Sequence, residues 1–493
     1  MSVSFPLLSL ADELVLAIIQ ECTDDLESLR CLARTCHHLQ LLTEPFLYRS
    51  IFLRTGKQAL QLAQSIGTHP ERVFAIQCVD MRCSHRRGDG IKTLIPLLKD
   101  FKNLREWTIE SPFCNYGYWR ETAAATWVED DMEEFYTILK LASPLNTITA
   151  QPKVLPLLKS FTLHSHGISD RYYNLGRLGV LFLHPSLRNI HLSCAEIGDG
   201  LDFLRAYPAS TPLTSLVLDE CDISTAGLSH ILSVPRGLKQ LTISESAHHS
   251  DHDNKFQQIG EQPIEIFAAL EPQKHSLQFL KHTCRASIEG VDEGSSRPIC
   301  FADTAGLFNF EALTNIEVSI NSVFKRALEA HLGPRDLKSI RLVDVSGSIL
   351  DNPETAIDTH ALMRYRHLQD FDLIHSTREE ELLVAEMWGH GRLEKVHKFT
   401  RLLQACNINL QVYIEMHGTL FPPYLYGETV PKPSLAFPSD WCNPRSNIED
   451  GGGNDGKISK GDVDNLMERT QQIIEEYNGR VEADRSSFSL TFS

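Results

Sequence analysis

Apolar residues in this chain follow two periods, and the longer stretch follows period two. A six-residue frame, L-x-x-L-x-L, returns as LRNIHL from Leu187, LTSLVL from Leu213, LKQLTI from Leu238, LTNIEV from Leu313, LKSIRL from Leu337 and LQDFDL from Leu368. Looser copies are VFAIQC from Val73, LREWTI from Leu104 and LKSFTL from Leu158. The steps from Leu187 to Leu213 to Leu238, and from Leu313 to Leu337, are roughly twenty-five residues, the spacing of a repeated supersecondary unit. Each frame predicts a strand with its leucines on one face. The stretches between, such as GLDFLRAY from Gly200, TAGLSHIL after Cys221 and VFKRALEAHL before Gly333-Pro334, read as helices. Strand, helix and parallel strand is the order expected when each unit buries its face on the next. Two segments interrupt it: residues 113–152, with the acidic helix WVEDDMEEFYTILKLA, and the polar loop AHHSDHDN at 247–254. Both are expected to lie as insertions on one face.

The first fifty residues follow the helical period instead. Ser9 and Asp12 fit a capping pattern, and Leu10, Leu14 and Ile18 recur every fourth residue. A second apolar series runs through Leu26, Leu29, Leu32, Cys36 and Leu39, and a third segment after Pro45 carries Leu47 and Ile51. Three short helices cannot bury this much apolar surface among themselves. The surplus requires the rest of the chain or a partner.

These residues carry a resemblance. SLADELVLAII, DLESLRCLARTCHHLQLL and PFLYRSI together resemble the F-box motif over residues 5–52, with Ala11 where families usually place proline and Leu39 where they often place tryptophan. The repeats, with Cys221 at the turn leaving the strand of LTSLVLDEC, resemble the longer, cysteine-containing class of leucine-rich repeat, which often accompanies an F-box. The expected fold is therefore α/β: a three-helix F-box, then a leucine-rich-repeat solenoid of parallel strands and outer helices over 53–415. A Pro/Gly-rich linker at 416–460 and a helical tail at 461–493 would follow. The resemblance implies the substrate-recognition subunit of an SCF (Skp–cullin–F-box) E3 ubiquitin ligase. Leu10, Ala11, Leu14, Ile18 and Leu39 would contact a Skp-type adaptor and, through it, the cullin. The alternative is a ligase-independent repeat scaffold whose N-terminal helices only cap the array.

Within each frame the third, fifth and seventh residues point away from the leucines. They give Ser160, Thr162 and His164; Asn189, His191 and Ser193; Ser215, Val217 and Asp219; and Gln240, Thr242 and Ser244. A protein target is expected on Asn189, His191, Ser215 and Asp219, with His191 and Asp219 as polar anchors. Glu317, Arg341, Asp370 and Asp372 form a more charged end.

Composition narrows the function. A net charge of −17 with no basic stripe argues against nucleic acid. Twelve cysteines without a C-x-x-C pair, no signal peptide before residue 30, and an apolar run LVLAII too short for a bilayer point to reduced thiols, no membrane, and a cytoplasmic or nuclear location. G-x-S-x-G, H-E-x-x-H, P-loop and G-x-G-x-x-G patterns are absent, so no enzyme activity and no cofactor are expected. His248, His249, Asp251, His252 and Asp253 lie in a polar loop without metal geometry. Asp455-Gly456-Lys457-Ile458 fits the centre of an EF-hand loop, but Gly451 and Gly453 supply no side-chain oxygen for a cation that needs about six.

Overall fold

The computed structural model describes residues 7–82, 89–110, 125–146, 154–164, 172–198, 200–245, 255–256, 259–284, 306–378, 388–389, 391–417, 431–438 and 460–489. The chain divides into two compact units. The first comprises Met1–Tyr173, Arg177–His191 and Ser210–Leu213; the second comprises Asn174–Gly176, Leu192–Ala209 and Thr214–Ser493. Both are mixed α/β, and the strands pair mostly in parallel.

The first unit opens with three helices, α1 (Asp12–Glu21), α2 (Leu26–Thr35) and α3 (His37–Leu47). The cap position of α1 falls on Ala11, without a side-chain hydrogen bond, and not on Ser9, which ends a 3-10 turn. Asp12 and Glu13 instead place negative charge in the first turn, against the helix dipole. Asp25 caps α2 by accepting from the backbone N–H of Glu27 and Ser28 at 3.1 and 3.2 Å. The second break also differs from the sequence reading. Extended backbone at Cys36 (φ −160°, ψ 162°) separates α2 from α3, whereas Pro45 lies inside α3 and the segment carrying Ile51 is a strand.

Parallel strands Ser50–Leu53, Cys78–Arg82, Glu106–Glu110 and Ser160–His164 follow in chain order. Ile51, Val79, Trp107 and Phe161 stand in register, and Leu53, Met81, Ile109 and Leu163 form the next column, buried throughout. Val73 does not open a strand: it lies in a 3-10 turn, and the working frame is Ile76, Val79 and Met81. The acidic insertion is also more than a surface feature. Its helix Ala125–Ala142 buries Phe135, Ile138 and Leu139, and Phe135 meets the Trp107 ring edge-on at 5.4 Å.

His184 is a buried neutral group in this unit. Its Nδ1 accepts the Ser186 N–H at 3.3 Å, its Nε2 has no partner, and burial lowers its pKa to about 4. Because the unfolded chain takes up this proton first, the contribution to stability is complete above the unfolded pKa of 6.5 and is lost as pH falls towards 4. From pH 7.5 to 4.5 the loss should be about 2–3 kcal/mol. Urea unfolding of wild type and His184→Gln at both pH values should show a smaller pH difference in the variant by that amount.

In the second unit, strands Ser215–Ile223, Gln240–Glu245, Phe279–Thr283, Asn315–Ser319, Ser339–Val343, Asp370–Arg378 and Asn409–His417 are parallel and pair in chain order. Leu216, Leu241, Leu280, Ile316, Ile340, Phe371 and Leu410 share one buried column. The eighth place of the frame repeatedly takes a left-handed turn, at Cys194, Glu220 and Asp344 (φ 56°, 49° and 57°). At Glu220 this coincides with a register shift in the strand. Cys221 then turns inward, its thiol donating to the Asp219 and Leu192 carbonyls at 3.3 and 3.7 Å. Helices Thr225–Ser233 and Val323–Glu329 are capped by Ser224 and Ser322. GLDFLRAY forms a 3-10 turn, Asp202–Ala206, rather than an α-helix.

The far end departs most from expectation. Within the stretch read as a linker, Ser434–Phe437 forms an antiparallel strand against Asn409–His417. The helix Lys460–Ser489 is docked, not trailing: Leu466, Ile473 and Tyr477 are buried, Trp388 Nε1 donates to Thr470 Oγ1 at 2.9 Å, and Arg469 donates to the Leu435 carbonyl at 2.9 Å. Strand and helix cover the last parallel edge, whose free backbone groups would otherwise invite pairing with another chain. Among the described residues, no helix is long and apolar enough to cross a membrane.

Candidate functional site

Helix α1 is apolar on two sides. Val15 and Ile19 turn inward and form a small core with Leu29 and Leu39. Leu14 and Ile18 turn outward and are 55% and 43% exposed. Leu8, Leu26 and Leu41 are also exposed. Of the expected adaptor contacts, Leu14 and Ile18 are therefore surface residues, Ala11 is exposed at the helix cap, and Leu10 is half-buried against the small core. Leu39 is a correction. At 5% exposure it belongs to the module's own core with Val15, Ile19 and Leu29. The run LVLAII fills adjacent helical columns, so spacing alone did not tell the inward column from the outward one.

The end of α3 fixes this module to the rest of its unit. Arg72 pairs with Glu44, stacks 4.9 Å from the Tyr48 ring centroid, and donates to Ser65 Oγ at 2.7 Å; the Tyr48 hydroxyl reaches the same oxygen at 2.7 Å.

The expected target residues fall in both units. Asn189 is exposed and His191 half-buried in the first unit, where the His191 ring meets His164 edge-on at 4.7 Å. Ser215 and Asp219 are half-buried in the second, where the Asp219 carbonyl accepts from Cys194 N–H at 3.0 Å. The seventh-place residues His164, Ser193 and Ser244 are buried, contrary to expectation. They stand at or next to the ends of their strands.

The second unit also has a column of charge that no single frame reveals. Lys281, Glu317, Arg341, Asp372 and Gln411 are in register on successive strands. Lys281 pairs with Glu317 at 2.5 Å, Glu317 with Arg341 at 3.6 Å, and Arg341 Nη2 with Asp372 Oδ2 at 3.1 Å. Burial opposes the charge on Lys281, but Glu317, Glu415 and Asp344 outweigh it and raise the pKa. Burial pushes Asp372 and Glu415 above the usual carboxylate range.

Sequence reasoning also missed a buried polar line. His282 Nδ1 lies 2.7 Å from Ser322 Oγ, and its Nε2 lies 2.9 Å from Glu245 Oε1. Ser322 and His282 have no exposed surface, and Ser322 Oγ already accepts the Phe324 N–H. The order serine, histidine, glutamate is thus a packed hydrogen-bond network with no room for a substrate. Its only sequence signal is a histidine where LQFLKH should have its last apolar residue. Among the described residues, no group of three or more His, Cys, Asp or Glu is placed to hold a metal. The His248–Asp253 cluster and Asp455–Ile458 lie outside the described residues. No family model matches the chain, and no curated protein matches it in sequence.

Proposed function

We propose that this chain is a substrate receptor of an SCF-type E3 ubiquitin ligase, an F-box module followed by a leucine-rich-repeat solenoid. The observation that carries the reading is the outward face of α1. Leu14 and Ile18 remain exposed although the module has its own core. An apolar face left open beside a complete core suits docking of another protein. The resemblance names that protein as a Skp-type adaptor. The parallel strands with in-register leucine columns support the solenoid half of the reading. The chain would perform no bond chemistry. It would hold a target beside a ubiquitin-charged E2 and raise the local concentration of target lysines. Target contacts in this reading include Asn189 and His191 in the first unit, and Ser215 and Asp219 in the second.

The ligase-independent scaffold draws on a different observation: Arg72, Glu44, Tyr48 and Ser65 tie the end of α3 to the helix Gly56–Thr68 and the 3-10 turn Pro70–Phe74 that follow it, as a cap would require. Co-expression with a Skp-type adaptor and cullin separates the two. A receptor co-purifies in stoichiometric amount and supports target ubiquitination in the reconstituted ligase. A scaffold purifies alone.

A further inference from the structure

The strands of the first unit are entered through residues whose backbones are clamped to one another. Arg49, Gln77, Arg105, Lys159 and Arg188 each stand directly before a strand. The Arg49 carbonyl accepts the N–H of Gln77 and Cys78 at 2.8 and 3.0 Å, and the Gln77 carbonyl accepts from Arg105 and Glu106 at 2.7 and 3.1 Å. The Arg105 carbonyl accepts from Lys159 and Ser160 at 2.8 and 3.0 Å, and the Lys159 carbonyl from Arg188 and Asn189 at 2.9 and 3.0 Å. Five consecutive rungs are thus fixed side by side, and four of them carry a cation. The linear sequence shows no basic stripe because each repeat contributes a single charge.

All four cations are exposed. Among the described residues, Arg49, Arg105 and Lys159 form no ion pair. Glu106, next to Arg105, lies 3.9 Å from the Cys78 thiol. Like charges held on neighbouring rungs repel, and an anionic partner relieves that repulsion. Exposed apolar side chains flank the row. Phe74 is 58% exposed, and its carbonyl accepts the side-chain N–H of Asn103, two residues before Arg105, at 2.6 Å. Leu157, two residues before Lys159, is 42% exposed. In the second unit the same place holds Thr214, Lys239, Gln278, Thr314, Lys338 and Gln369, so each lysine there stands between uncharged rungs.

We propose that this row binds an acidic segment of the target protein, its Asp or Glu side chains on the cations and an apolar residue on Phe74 or Leu157. Rungs about 4.8 Å apart give a row of about 19 Å, which an extended segment of about six residues covers. The net charge of −17 favours a short acidic peptide over nucleic acid, whose continuous phosphate charge the remaining surface would repel. The proposal rests on the reading of the chain as a target receptor and gives that target a chemistry. The row ends beside Asn189, a target contact in that reading.

The test uses the full chain without adaptor, so failure of adaptor binding and failure of this proposal are read separately. Two fluorescein-labelled peptides serve as probes, one with glutamates on both sides of a leucine, the other with glutamine at the same places. Fluorescence anisotropy should give a Kd at least about 10-fold lower for the glutamate peptide, with a steep dependence on salt. Arg105→Gln combined with Lys159→Gln should remove that difference. Lys239→Gln with Lys338→Gln removes as much charge from the same place of the frame in the second unit, and should leave it intact. Thermal unfolding verifies that each variant is folded. Equal affinity for the two peptides, no binding of the glutamate peptide up to about 1 mM, or an equal loss in the control variant would each overturn the proposal. So would tighter binding of a labelled oligothymidylate that the Arg105 and Lys159 substitutions weaken, which would mark the row as a nucleic-acid surface.

Discussion

Leu14→Asp combined with Ile18→Asp is expected to abolish co-purification with a Skp-type adaptor while the chain stays folded. Both side chains already face solvent, so exchanging them for aspartate costs the free chain within about 0.5 kcal/mol each. In a complex the same positions would carry two desolvated carboxylates without partners, at several kcal/mol. Since each 1.4 kcal/mol is about tenfold, adaptor affinity should fall by at least about 1000-fold. Val15→Asp is the contrasting variant. It places a charge in the core with Ile19, Leu29 and Leu39, and should unfold the module itself. Retained adaptor binding in the Leu14/Ile18 double variant sinks the F-box assignment. Loss of the whole fold would mean that the face is buried in the free chain and acts as a cap.

The second large effect is structural. His282→Leu should destabilise the second unit by about 3–5 kcal/mol, the usual cost of leaving one member of a buried pair behind. Glu245 would keep only the Ile259 N–H, which its Oε2 accepts at 2.9 Å, and Ser322 would lose its buried acceptor or donor. Adding Glu245→Gln should recover part of the loss, because glutamine keeps an acceptor for Ile259 but removes the stranded charge. Guanidinium unfolding monitored by circular dichroism would give the cycle. A cost below about 1 kcal/mol for His282→Leu would show that water reaches Glu245.

Much of the sheet was legible because the leucine frame reports burial directly. Leu104, Leu158, Leu187, Leu213, Leu238, Leu313, Leu337 and Leu368 each stand two residues before a strand. Two strands escaped because a polar residue replaced a leucine at the diagnostic place: His282 in one, and Asn407, in a left-handed turn, in the other. Val73 misled for the opposite reason, being apolar at the right spacing from Ile76 but belonging to the turn before the strand. The charged column was invisible in any one copy, since alternation of Lys281, Glu317, Arg341 and Asp372 exists only across strands. At the N-terminus the motif located the module, yet it took packing to separate Leu39, inside, from Leu14 and Ile18, outside. Proline content hid the Ser434–Phe437 strand, which sits at a sheet edge where proline-rich sequence is tolerated.

That edge strand and the helix behind it set a timetable for biosynthesis. The strand Asn409–His417 leaves the ribosome well before Ser434–Phe437 and the helix ending at Ser489 that shield it. At about 5–20 residues per second, the nascent sheet carries a bare edge for roughly 4–14 seconds. During that interval neighbouring chains on one polysome present the same unpaired backbone to each other. A premature stop codon between residues 418 and 433 would make the interval permanent, so its product should be recovered with aggregates and chaperones although nearly every preceding strand is intact.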